Sequence, residues 1–217
     1  MNLLYALSSI ALFLYSYTQV DLSLTLSRVS IWQVIQRWFQ LIGFFNRPLS
    51  TVIFLAILAV FFVLYVVMLL GIHKKKFTVR QIWVIIGIIT VITCFSYPAF
   101  SYDFFNYLFT AKTVLLYHRN PYMVVPLQFT GVEPWLSFLH WTHLPSAYTP
   151  VWIIVTLLPY FLGFGYFLLI MWSLKIVVAA AYIVTAIGIY KILEIEDKSR
   201  ALLGMAIFAL NPLVIIE

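Results

Sequence analysis

The sequence predicts an all-α, polytopic transmembrane fold of about five spans, with interfacial and re-entrant helices between them. Three observations carry that prediction. The mean hydropathy is +1.04. Hydrophobic residues make up 64% of the chain and charged residues only 9%. The apolar residues also fall in runs approaching the roughly 20 positions that a spanning helix needs. A membrane β-barrel would show strict alternation instead, and the sequence has none. Backbone groups in lipid have no water to bond, so the runs are read as helices.

The formal net charge of +6 is read as topology. Lys74, Lys75, Lys76 and Arg80 stand between two apolar runs, where basic residues mark the cytoplasmic side. No arginine- or glycine-rich tract accompanies them, which argues against a nucleic-acid partner. The single cysteine, Cys94, lies in an apolar run and can form no intrachain disulfide.

In chain order, Leu3 to about Tyr17 is a short first span without the basic region of a signal peptide. Asp21 to Ser50 reads as an amphipathic helix in the membrane interface. Ile31, Val34, Ile35, Trp38 and Leu41 recur at helical spacing, and Gln33, Gln36, Arg37 and Gln40 take the other face. Trp32 and Trp38 are its interfacial anchors. Thr51 to Ile72 is a strong span ended by the lysine triplet, and Ile82 to about Phe95 returns toward the other side, with Pro98 helping to end it. Residues 96–150 form the largest non-spanning region. Val151 to Phe164 is short and interrupted by Pro159, which predicts a re-entrant or interfacial segment. Phe167 to Ile189 is a span despite Lys175, Lys191 to Arg200 is a charged loop, and Leu202 onward enters the membrane again. The whole of 1–217 is read as one transmembrane domain. It is expected to be C-terminally incomplete, because the chain stops at Glu217 within an apolar run.

If Val151 to Phe164 does not cross, Lys74, Lys75, Lys76, Arg80, Lys191, Lys198 and Arg200 share the cytoplasmic side. Arg28, Arg37, Arg47, Lys112 and Arg119 are then outside. That bias agrees with positive-inside charge and makes 96–150 an extracytoplasmic loop region.

The chemistry concentrates in that loop region. Asp103 opens a helical pattern in which Asp103, Asn106, Thr110, Thr113 and Tyr117 share a polar face, while Phe104, Leu108, Ala111 and Leu115 form the opposite stripe. The expected placement is a helix lying on the outer leaflet. An acid there is a candidate functional group, and two readings stay open: a general base for a hydroxyl, or a helix cap. Arg119-Asn120-Pro121-Tyr122 is expected to end the helix. Lys112, His118 and Arg119 are suited to a phosphate or to lipid headgroups. Glu133 has no spacing that pairs it with Asp103. His140 and His143 stand at i, i+3, but no HExxH motif or carboxylate partner makes a zinc site of them.

Together these segments resemble the GT-C class of integral-membrane glycosyltransferases, and most of all the polyprenyl-phosphate-mannose-dependent mannosyltransferases of bacterial envelopes. The resemblance rests on Ser101-x-Asp103 with Tyr107, Asn120-Pro121-Tyr122, Tyr148-Thr149-Pro150-Val151-Trp152, and Asn211-Pro212-Leu213 with Glu217, in the family's order. It covers about Tyr97 to Glu217. It implies a GT-C-like fold in a multi-pass protein of the cell membrane. The implied reaction is inverting transfer of a sugar, mannose by family, from a polyprenyl-phosphate donor to a glycan or glycolipid hydroxyl at the extracytoplasmic face. Asp103 would be the base. Arg119, with Lys112, His118, Asn120, Tyr122, Tyr148 and Glu217, would bind donor phosphate and substrate. No cofactor is specified, and a divalent cation stays open. The family often has its Asp soon after the first span and carries further C-terminal helices, so groups completing the acceptor site are expected beyond Glu217.

Two other classes compete. A small-solute or lipid transporter or flippase would place Lys175 and Asp103 on a path, but such proteins show paired repeats with interrupted helices, and no repeat is visible. A non-catalytic membrane scaffold is the third.

Overall fold

The computed structural model describes residues 1–216, with 198 and 199 described by their backbone alone. Helix accounts for 71% of it, and no strand occurs among the described residues. The α-helices are α1 (Asn2–Thr18), α2 (Ser30–Gln40), α3 (Arg47–His73), α4 (Val79–Cys94), α5 (Asp103–Leu115), α6 (Pro150–Leu162), α7 (Phe167–Glu194), α8 (Lys198–Ala209) and α9 (Pro212–Ile216). A π-helical turn, Leu41–Phe45, joins α2 to α3, and 3₁₀ turns at Pro126–Phe129 and Pro134–Ser137 punctuate the segment between α5 and α6.

Among the described residues two helices, α3 and α7, have the length and apolarity of a full membrane span, and just 22% and 17% of their most apolar stretches are buried. Helices so apolar and so little covered suit lipid better than a watery core. The other apolar helices, Val79–Cys94, Pro150–Leu162 and Arg200–Ala209, are shorter.

The chain packs as two compact units. The first comprises Met1–Gln19, Trp38–Tyr97 and the chain from Val178 on. Its core is aliphatic: Ile82, Ile85, Ile86 and Ile89 follow helical spacing on α4 and are buried with Phe61, Met68 and Met205. Helix α4 starts on a full capping box, in which Thr78 and Gln81 satisfy each other's backbone N–H groups. The second unit comprises Val20–Arg37 and Pro98–Val177. Its centre is aromatic, with Phe138 5.6 Å from Phe105 and 5.4 Å from Phe167, and Trp135 5.4 Å from Phe167.

Several expectations are corrected. The amphipathic helix expected over Asp21 to Ser50 is confined to α2. Ahead of it, Asp21 Oδ1 accepts from the Ser23 N–H and Ser27 Oγ from the Val29 N–H, local bonds that compete with helix formation. Behind it, Asn46 accepts from the Leu49 N–H and caps a new helix, α3, with Pro48 in its first turn. On α2 the glutamines turn inward: Gln36 bonds the Leu24 carbonyl and the Leu26 N–H, and Gln33 the Ser27 carbonyl. Ile31, Trp32, Val34 and Trp38 are left exposed.

Helix α5 does not lie with its polar face outward. Asn106, Thr110 and Thr113 are buried along with Phe105, Leu108 and Ala111. The face tolerates burial partly because Thr113 Oγ1 donates to the Phe109 carbonyl at 2.9 Å. Nor does proline end this helix. It stops at Leu115, His118 adopts φ 51°, and the Arg119 N–H closes back on the Thr113 carbonyl at 3.1 Å.

Pro159 does not interrupt its segment either, for α6 runs through it to Leu162. The helix ends at Gly163, where a Cβ would collide with Ile170, and the turn continues through Phe164 and Gly165 at positive φ. The charged loop expected from Lys191 to Arg200 shrinks to residues 195–197 between α7 and α8.

Candidate functional site

Asp103 is the first residue of α5, and Tyr102 before it provides no side-chain cap. The carboxylate is instead drawn into a tertiary contact: Tyr148 Oη donates to Asp103 Oδ1 at 3.1 Å, across 45 residues of sequence. Among the described residues that is the one hydrogen bond the carboxylate accepts, and Oδ2 accepts none. The capping reading of Asp103 is thereby removed.

Three segments meet at this acid. Helix α5 supplies Asp103, Asn106 and Tyr107. The turn at Asn120-Pro121-Tyr122 supplies the Tyr122 hydroxyl, which donates to the Tyr148 carbonyl at 2.7 Å. Asn120 Oδ1 shapes that turn by accepting from the Tyr122 N–H at 3.0 Å, and the Ser146 N–H bonds the Pro121 carbonyl at 2.9 Å. The third segment opens α6: Thr149 caps the helix by accepting from the Trp152 N–H, and Pro150 takes its first position. The Tyr107 ring packs edge-on against both Tyr148 (4.5 Å) and Trp152 (5.2 Å).

The electrostatics keep the phenols neutral. Burial pushes the Tyr148 hydroxyl well above the usual tyrosine range, the Asp103 charge and hydrogen bond push it further, and Asn106 pulls weakly the other way. Tyr107 is raised too, first by burial and then by Asp103. Asn106 is 8% exposed. Its Nδ2 makes no hydrogen bond of full geometry, although it is near enough to Tyr148 to affect its titration. Trp152 Nε1 is a second buried donor without a partner.

Of the residues expected to bind donor phosphate and substrate, Asn120, Tyr122 and Tyr148 are gathered here, whereas the basic Lys112, His118 and Arg119 are not. Lys112 is engaged elsewhere: its Nζ lies 2.8 and 2.9 Å from the Glu133 carboxylate oxygens and 4.1 Å from the centre of the Trp135 ring. Glu133, buried to 5% exposure, also accepts from Tyr117 Oη at 2.7 Å and the Trp135 N–H at 2.9 Å. Burial first, then the bond to Glu133 and its charge, push the Tyr117 hydroxyl up to about 12. His118 and Arg119 are exposed. They follow the far end of α5 from Asp103, since Thr113, which Arg119 bonds, lies about 15 Å of helix rise away. Asp103 therefore does not stand beside the basic turn that holds His118 and Arg119.

His140 stacks on Tyr102 with ring centres 3.8 Å apart. Among the described residues no three His, Cys, Asp or Glu side chains are grouped to hold a metal ion. Asn211 accepts from the Leu213 N–H and opens α9, while Glu217 lies outside the described residues. Sequence reasoning did not place Asn106 or Trp152 in the site, nor join Lys112 to Glu133. Both of the former do adjoin motif residues, Asn106 on the face of Asp103 and Trp152 in the Tyr-x-Pro-Val-Trp run, which was the signal available.

A family model, MptA_B family, described as alpha-(1->6)-mannopyranosyltransferase, N-terminal domain, matches residues 7–217. No curated protein and no solved structure matches the chain.

Proposed function

The chain belongs to the MptA_B family of mannosyltransferases, and so to the glycosyltransferases, and on that footing we propose that Asp103 is the general base of its reaction. The acceptor hydroxyl gives its proton to the Asp103 carboxylate. Its oxygen forms a bond to the anomeric carbon of the donor mannose, and the bond from that carbon to the phosphate oxygen breaks. The polyprenyl phosphate leaves with the electron pair, and attack from the opposite face inverts the anomeric configuration.

The observation that carries this reading is the state of the carboxylate. It caps nothing, pairs with no cation among the described residues, and has one oxygen held by a neutral phenol while the other is open. A base needs that availability. Arg119 and His118, exposed at the far end of α5 from Asp103, suit the lipid headgroups around the donor rather than the reacting phosphate.

The proposed setting is a GT-C-like, multi-pass protein of the cell membrane. Helices α3 and α7 cross as full-length spans, the shorter α1, α4 and α8 complete the five spans of this topology, α2 lies in the interface and α6 re-enters. The Lys74–Arg80 loop is cytoplasmic, and residues 96–150 form the extracytoplasmic region with the active site. The partners are the lipid-linked sugar and a glycan or glycolipid acceptor.

The test is Asp103→Asn in the full-length protein, reconstituted in membranes with a polyprenyl-phosphate mannose donor. Turnover is expected to fall about 10²–10⁴-fold, the range carried by a general base, with the unfolding midpoint unchanged. Full turnover in that variant overturns the assignment. Transfer that retains anomeric configuration, read by NMR of the product, overturns the single displacement.

A further inference from the structure

We infer that Tyr148 is a positioning residue for Asp103 rather than a substrate ligand, and that Asn106 and Tyr122 hold it in that role. The inference rests on Asp103 acting as the base.

A carboxylate on the first residue of a helix turns freely about its χ angles unless something fixes it. Here the Tyr148 phenol does so, and its one proton goes to Oδ1 at 3.1 Å. That leaves Oδ2 as the oxygen able to take a proton from an incoming hydroxyl. The phenol remains a donor because burial and the Asp103 charge both oppose its ionisation.

The phenol is itself held from three sides. Tyr122 Oη ties down its backbone carbonyl at 2.7 Å. Thr149 and Pro150, directly after it, start α6 and fix the chain direction. The Tyr107 ring packs edge-on at 4.5 Å. Asn106 Nδ2 supplies what the static hydrogen-bond pattern leaves unexplained. It is a buried donor with no full partner, near enough to the Tyr148 oxygen to influence it, and a group left so at a cost in stability calls for an explanation. When the substrate hydroxyl approaches Oδ2, tightening of Asn106 Nδ2 onto Tyr148 Oη and of Tyr148 Oη onto Oδ1 completes a chain of three groups that strengthen one another. Thus the Asn-Pro-Tyr and Tyr-x-Pro motifs, separate in sequence, converge on the aim of one carboxylate.

The test is Tyr148→Phe, which keeps the ring against Tyr107 and removes only the hydroxyl, assayed alone and in the Asp103→Asn background. A kcat about tenfold lower is expected, the share of one hydrogen bond, with the donor and acceptor KM unchanged. In the Asp103→Asn background the same change should cost nothing further, because Tyr148 acts through Asp103. Asn106→Leu should lower kcat less than Tyr148→Phe. A raised donor KM with normal kcat makes Tyr148 a substrate ligand and overturns the inference. So does an undiminished tenfold loss in the Asp103→Asn background. Wild-type kcat in Tyr148→Phe beside an inactive Asp103→Asn refutes the positioning role and leaves the base intact. An active Asp103→Asn refutes both.

Discussion

Asp103 and Glu133 are both acids set among aromatic rings in one compact unit, yet they are held in opposite ways. Glu133 is closed: a lysine ammonium, a phenol and a backbone N–H engage its two oxygens, and its side chain is fully hidden. Asp103 is open: half-buried, with one neutral donor on one oxygen. A buried charge that is fully paired is costly to disturb and has nothing left for chemistry. A charge held by a single phenol is oriented and still able to accept a proton. The difference teaches that the acid easiest to explain structurally is the one least suited to react.

Breaking the contrast should therefore give opposite results at the two acids. The largest expected effect is on turnover, in Asp103→Asn, with stability intact. Glu133→Gln should do the reverse. Removing one member of a buried ion pair costs about 3–5 kcal/mol, so the unfolding midpoint in detergent should drop sharply. Lys112→Met should match it, whereas Lys112→Met with Glu133→Gln should cost less than the two single changes together; strict additivity in that double-mutant cycle would show that the pair is not coupled. Next in size is Tyr117→Phe, which removes a hydrogen bond to a charged acceptor and should lower stability by about 1.5–3 kcal/mol without changing kcat. A change in kcat there would mean that the closed acid takes part in the reaction. Smallest is Thr149→Ala, which deletes the α6 cap at about 1 kcal/mol. It should be visible chiefly as earlier hydrogen exchange at the start of α6.

The same contrast shows what could be read in advance. The long apolar helices were legible because a sustained run such as Thr51 to Ile72 is what a spanning helix needs, and α3 extends that run only to Arg47 and His73. Asp103 and Tyr148 were legible as members of two motifs, though their hydrogen bond was not, since nothing local in sequence relates residues 45 apart. Lys112 and Glu133 were illegible for the same reason and had no motif to help. The polar stripe of α5 misled because spacing reports which residues share a face but not what that face meets. Small hydroxyl groups such as that of Thr113 carry their own partner in the preceding turn and so can face inward.

Helix α2 is fastened the other way round from a helix of a soluble domain. Gln33 and Gln36 grip the backbone of residues 24–27, so the helix cannot roll over to hide Ile31, Trp32, Val34 and Trp38 without breaking those bonds. In the proposed topology that exposed face is the one that meets the membrane interface. In the proposed membrane setting the protein taken out of lipid keeps an apolar strip that a detergent belt must cover, and conditions that strip detergent away should drive copies together through it.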